Sequence, residues 1–274
     1  MKYCVHYDKN FRHLTTIDEF ILNYHGEKSR VPLLDIVQKV TPGQRVLLKM
    51  VELEENEILD EIQYIVAAIE IYNNITIILQ PNLAEADNLL AALFEKDIPY
   101  FFNSRVDTVD EFIYYRDKGA SDIYVVNALG FSVKDLKLIS EGVNIRVFAN
   151  VAQTSCPENG SDITAFFIRP EDVKYYEGYV DVIDFFGPDN RASVLYEIYA
   201  INQSWAGKLN DLILRLNCNI ANSLLVPSTF GAHRVDCGKR CQFNKCFVCT
   251  RAMEMAQAVT ERLEKINESA EENS

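Results

Sequence analysis

The residues best suited to chemistry stand near the C-terminus, in "CGKRCQFNKCFVC" at 237–249. Cys237, Cys241, Cys246 and Cys249 are four of the chain's seven cysteines. Thiols this close together in a reducing compartment are metal ligands or catalytic groups more often than disulfides. Two pairs, each held a short turn apart, can surround one zinc ion tetrahedrally or hold a [4Fe–4S] cubane. A redox dithiol in "CFVC" is the competing reading, but no thioredoxin-like βαβ start precedes it. Radical enzymes that cleave S-adenosylmethionine show Cys-x3-Cys-x2-Cys early in the chain; here the spacing is wider and the position late.

Other reactive motifs are missing from the sequence. It has no Gly-x-Ser-x-Gly elbow, no Gly-rich phosphate loop and no His-Glu-x-x-His helix. His6 alternates with Cys4 on an apolar run and reads as a core residue. His233, four residues before the quartet, reads as a loop histidine rather than a ligand.

The thiols need a framework, and the hydrophobic pattern supplies one. Apolar runs at 2–7, 45–51, 75–80, 98–103, 122–127, 145–150, 163–168 and 181–186 mostly lack polar alternation. That suits strands buried on both faces of a parallel sheet. Helical stretches lie between them, at 31–40, 56–73, 83–96, 108–119, 132–142, 169–179, 192–205 and 208–217. A further helix is expected at 16–25, opened by a Thr16-x-x-Glu19 capping box. The alternation predicts an α/β fold, a (β/α)8 TIM-like barrel over 1–217, with a doubly wound open sheet as the alternative. Residues 218–274 read as a cysteine-rich metal-binding extension and an acidic helical tail, expected to fray after Ile266.

In such barrels the loops after the strands carry function. Asn103, Arg105, Asn127, Asn150, Gln153 and Arg169 fall there and form the candidate substrate-binding set. Amides donate and accept at once without adding charge. Arg105 and Arg169 can grip a carboxylate or phosphate through paired hydrogen bonds, or simply pair with a neighbouring acid. A helix from Lys208 would return the chain to this end, bringing Cys218 and the quartet toward Cys156, a fifth candidate ligand on the loop after 145–150. No residue stands out as catalytic.

The chain has 274 residues, enough to bury a large core without disulfides. Its net charge of −13 argues against a general, nonspecific grip on nucleic acid, though not against a local basic patch. No apolar window of ~18 residues suggests a membrane span, and the start "MKYCVHYDKN" lacks a signal-peptide core. A cytoplasmic location with no membrane partner is the expectation.

Two stretches carry a family likeness. "YYRDKGASDIYVVNALGFSVKDLKLISEGVNIRVFANVAQTSC" and "AFFIRPEDVKYYEGYVDVIDFFGPDNR" resemble consecutive segments of the collagenase-like peptidases, unknown-type peptidase family 32. "LVPSTFGAHRVDCGKRCQFNKCFVCTRAMEMA" is similar to the cysteine-rich end of some members. The resemblance covers roughly the second half of the chain. It implies a barrel with an iron–sulfur cluster and, for several members, oxygen-independent hydroxylation of ubiquinone precursors or RNA bases. Cys156 corresponds by position and the C-terminal quartet by pattern. Where the family has a Glu and a His-Gly around the sixth strand, this chain has Arg146 and "FANVAQ".

Three functions follow as expectations. The first is a [4Fe–4S] barrel enzyme that hydroxylates or otherwise modifies a small-molecule or nucleic-acid substrate. The second is a non-catalytic binding or scaffold barrel with a structural zinc site. The third is a peptidase, for which no nucleophile–base pair is visible. A protein partner or a second copy of the chain is compatible with each.

Overall fold

The computed structural model describes residues 1–8, 11–125, 132–151, 167–186, 191–216, 220–225, Val235 and 248–271. Its strands are β1 (Lys2–His6), β2 (Glu19–Tyr24), β3 (Arg45–Met50), β4 (Ile75–Leu79), β5 (Tyr100–Phe102), β6 (Arg105–Val106), β7 (Asp122–Val125), β8 (Asn144–Phe148) and β9 (Val182–Asp184). They form one nine-stranded sheet in the order β5-β4-β3-β2-β1-β9-β8-β7-β6, and every pairing is parallel. The two strands at the ends of that order, β5 and β6, are separated in the chain only by Asn103 and Ser104.

The sheet is curled. The Ser121 N–H, beside β7, donates to the Tyr100 carbonyl of β5 at 2.8 Å. Arg45 on β3 reaches Asp122 on β7 at 2.5 Å. Strands two or more places apart in the order therefore touch through the interior, and β4, with five buried residues, is covered on both faces.

Helices α1 (Glu27–Val37), α2 (Glu55–Ile71), α3 (Asp87–Glu95), α4 (Val109–Asp117) and α5 (Val133–Ile139) alternate with the strands. Thr108 caps α4 by accepting from the Glu111 N–H at 3.2 Å. Ser132 and Asp135 form a reciprocal capping box at the start of α5. Shorter pieces follow: α6 (Val173–Tyr176), α7 (Ala192–Tyr196) continued by a π-helical turn, and α8 (Leu209–Leu212). The long α9 (Val248–Glu271) closes the described chain. Ala256 and Thr260 of α9 are buried, and Thr260 Oγ1 accepts from the Ala221 N–H at 3.4 Å.

The structure corrects the sequence reading in four places. Residues 16–25, expected as a helix, contain β2, which pairs with both β1 and β3. Lateral pairing along six residues, with Phe20, Ile21 and Tyr24 buried, outweighs the local capping signal. The expected strand at 163–168 is not seen at Phe167 and Ile168, which have no regular structure; 163–166 lie outside the described residues. The helix expected over 208–217 is one turn, because Leu214 leaves it to pair with Val151. The tail expected to fray after Ile266 stays helical to Glu271.

Candidate functional site at the C-terminal ends of the strands

Successive side chains on a strand point to opposite faces, so Arg45, Leu47 and Lys49 share one face of β3. Arg45 fixes that face as the interior, since its guanidinium donates to Asp122 at 2.9 and 2.5 Å and to Thr76 Oγ1 at 2.8 Å. Arg146 on β8 is fully buried among the same groups. It donates to Glu19 Oε2 at 2.7 Å, to Asp122 Oδ1 at 3.1 Å, and to both oxygens of Asp184 at 3.1 and 2.9 Å. The Tyr124 hydroxyl donates to Asp184 Oδ1 at 3.1 Å. Four strands thus meet at Arg146 in the middle of the sheet.

Two guanidinium groups face three carboxylates in this cluster, which leaves one negative charge over. Lys2 approaches Glu19 at 3.9 Å from a mostly exposed position and screens it weakly. The surplus divides the acids. Burial alone would raise Asp122, but Arg146 and Arg45 outweigh it and hold the carboxyl down at about 2. Burial, joined by the Glu19 charge, raises Asp184 against the pull of Arg146. Cys4 sits beside Asp184, and burial with that neighbouring charge pushes its thiol well up. A thiol so placed is not a thiolate at neutral pH. Every guanidinium edge in the cluster is engaged, which makes it a rigid floor rather than a reacting centre.

Above the floor, at the C-terminal ends of the strands, the character changes. Arg105 pairs in register with Tyr124, and laterally paired residues share a face. Its guanidinium lies 5.1 Å over the Phe148 ring and 6.0 Å from that of Phe186. Phe148 in turn stacks on Tyr124 at 4.8 Å. Burial and the nearby Arg215 lower the Arg105 pKa. Lys49 enters the same interior from β3, half-buried, and burial lowers its pKa as well. Among the described residues, none of Lys49, Arg105 and Arg215 has an acid partner. Hollows of about 700 Å³ beside Arg30, Tyr64 and Lys96, and of about 420 Å³ beside Asn73, Phe94 and Gly119, lie on the outer helices and at the N-terminal ends, away from this rim.

The structure separates the residues nominated from sequence. Arg105 stands at the rim, and half-buried Asn103 precedes it, its N–H donating to the Leu79 carbonyl at 2.8 Å. Asn150 is fully buried, and its amide bonds the Phe186 carbonyl at 2.6 Å and N–H at 2.8 Å. Arg169 is also fully buried: Asp172 takes its Nε and Nη2 at 2.6 and 2.8 Å, and the Leu225 carbonyl accepts from Nη1 at 2.8 Å. These two side chains tie backbone segments together. Asn127, Gln153, Cys156, Cys218, Cys237, Cys241 and Cys246 lie outside the described residues. Cys249 falls in the first turn of α9. No group of three or more His, Cys, Asp or Glu side chains is placed to hold a metal ion among the described residues.

Lys49 and Arg215 were missed in the sequence. For Lys49 the signal was present: one charge inside the apolar run "RVLLKMV", in phase with Arg45. For Arg215 there was none, since only the pairing of Leu214 with Val151 brings it to this end.

No protein-family model matches the chain, and no curated protein matches it. The likeness to the collagenase-like peptidases rests on the quoted stretches alone. Among the described residues no helix is long and apolar enough to cross a membrane.

Proposed function

We propose that the curled sheet is a closed (β/α)8 barrel and that its C-terminal opening holds a small polar substrate for redox modification at an iron–sulfur centre. The closure follows from treating β5 and β6 as one strand interrupted at Asn103–Ser104, its first half paired with β4 and its second with β7. Eight strands then remain, as such a barrel requires. The observation that carries the substrate site is the contrast across the interior: guanidinium groups fully engaged by acids below, and above them a guanidinium with no acid partner among the described residues beside the exposed Phe186 ring.

The thiol quartet suits the cofactor by its donor chemistry, four soft ligands within thirteen residues. A [4Fe–4S] cluster on Cys237, Cys241, Cys246 and Cys249 would supply one-electron transfer. The barrel's own residues would bind and orient: Arg105 by charge, Phe186 by its ring face, and Gln80 by bracing the rim through the Met50 carbonyl at 2.9 Å. The family resemblance supports oxygen-independent hydroxylation as the reaction class.

A second reading is favoured by the position of Cys249 on α9, which packs on the barrel through Ala256 and Thr260. A zinc ion on the quartet would then staple that helix, and the barrel would bind its ligand without chemistry. Anaerobic purification with absorption and elemental analysis decides between them. A broad band near ~400 nm with about four irons and four sulfides per chain is expected for the enzyme. A colourless protein with about one zinc per chain would replace it with the stapled binding protein. Retention of the metal in Cys156→Ser is expected if the quartet alone holds it.

A further inference from the structure

The rim cations carry a more specific reading, one that rests on the C-terminal opening being the substrate site. We infer that Arg105 and Arg215 form an oxyanion site for a phosphate monoester, and that the modified substrate carries such a group.

Three observations converge on it. First, the chain has 40 acidic residues against 27 Lys and Arg. Neither Arg105 nor Arg215 has an acid partner among the described residues, and they come from separate segments of the chain. Second, the geometry gathers the two arginines. The Leu214 N–H donates to the Asn150 carbonyl at 2.7 Å, which seats Arg215 just beyond the end of β8. Arg105 lies over Phe148, the last residue of β8, from the neighbouring side. Like charges repel, and no described carboxylate pairs with either guanidinium, so an incoming anion would gain from both. Third, Arg215 is held at φ 62°. An arginine rarely occupies this left-handed region, which among the described non-glycine residues Arg215 shares only with Glu52, Asp97, Glu141 and Gln203.

The charge count selects the ligand. A carboxylate brings one negative charge, whereas a phosphate monoester brings about two negative charges and three acceptor oxygens to the two guanidinium groups. The planar forks of the arginines suit paired donation to its oxygens. The exposed Phe186 ring beside Arg105 leaves an apolar face for the rest of the molecule.

The test uses the full chain and two probes, inorganic phosphate and acetate, titrated while the arginine Nε–H signals are followed by NMR. Saturable binding of phosphate, with little response to acetate, is expected. Arg105→Gln and Arg215→Gln should each weaken phosphate about tenfold or more. Both side chains are exposed, so the fold should persist, as amide spectra would verify. Arg116→Gln, whose parent guanidinium is paired with Asp117 on α4, serves as the control and should bind as the native chain does. Equal affinity for acetate would overturn the phosphate assignment. So would phosphate binding that survives both substitutions, or no saturable binding at all. The titration needs no metal, so loss of the iron–sulfur reading alone would leave its result unchanged.

Discussion

Arg146 shows how far a single residue can be read from sequence. In "NIRVFAN" it is one charge in an apolar run, and the alternation places it on the face of Asn144 and Phe148. Nothing in the sequence names its partners, because Glu19, Asp122 and Asp184 come from 127, 24 and 38 residues away. Removing the guanidinium strands three buried carboxylates. Arg146→Met should therefore cost ~3–5 kcal/mol of stability, read from urea unfolding. A loss below ~1 kcal/mol would mean that the acids rearrange or bind protons without it. The same cluster sets an acid dependence. Asp122 is held down at about 2, below the ordinary ~3.9 of an unfolded chain. Its stabilising contribution is present above that unfolded value and is lost as pH falls toward 2, by ~2–3 kcal/mol in total. Asp184, raised, acts with the opposite sign and takes up its proton first, at higher pH. Stability should therefore hold or rise slightly on mild acidification and then fall steeply below pH ~4. In Asp122→Asn, weaker overall, the steep limb should be shallower.

Elements were legible where their signal was local. The helices α2, α4 and α5 appear close to where periodicity and capping residues put them, since Thr108 and Ser132 bond backbone N–H groups within their own turns. β2 was not legible, because Thr16-x-x-Glu19 imitates a helix start while Glu19 in fact points at Arg146. The boundary between β5 and β6 likewise leaves no mark in the sequence beyond the polar Asn103–Ser104 pair. Asn150 illustrates the limit for the candidate site. Position at a strand end suggests a ligand contact, and the structure adds what sequence does not show: its amide joins the end of β8 to the residues after β9. Asn150→Ala should remove both hydrogen bonds to Phe186 and lower stability by ~1–3 kcal/mol in urea unfolding. Unchanged stability with weakened ligand binding would return Asn150 to the substrate-binding set.

At the scale of the molecule, the question is how the thiol-rich segment is held to the sheet. α9 has a short buried face, Ala256 and Thr260, while Met255, Val259, Leu263 and Ile266 are exposed. Its ion pair, Lys208 to Glu264 at 2.8 Å, is about four-tenths exposed on each side and contributes little. Burial of one alanine and one threonine is small against the cost of ordering a 24-residue helix. A centre on the quartet would add a further tie, because Cys249 lies in the first turn of α9. The sheet does not depend on that tie: its strands are joined through Arg45, Arg146 and their acids, far from the cysteines in sequence. Chelation of the metal, or Cys246→Ser, should therefore open α9 to limited proteolysis while shifting the urea midpoint of the sheet by less than ~1 kcal/mol equivalent. Protease fragments ending near residue 248, with the midpoint retained, are the expected pattern. A cooperative loss of the whole fold on metal removal would instead make the centre part of the core, and would join the quartet to the strand ends as one structural unit.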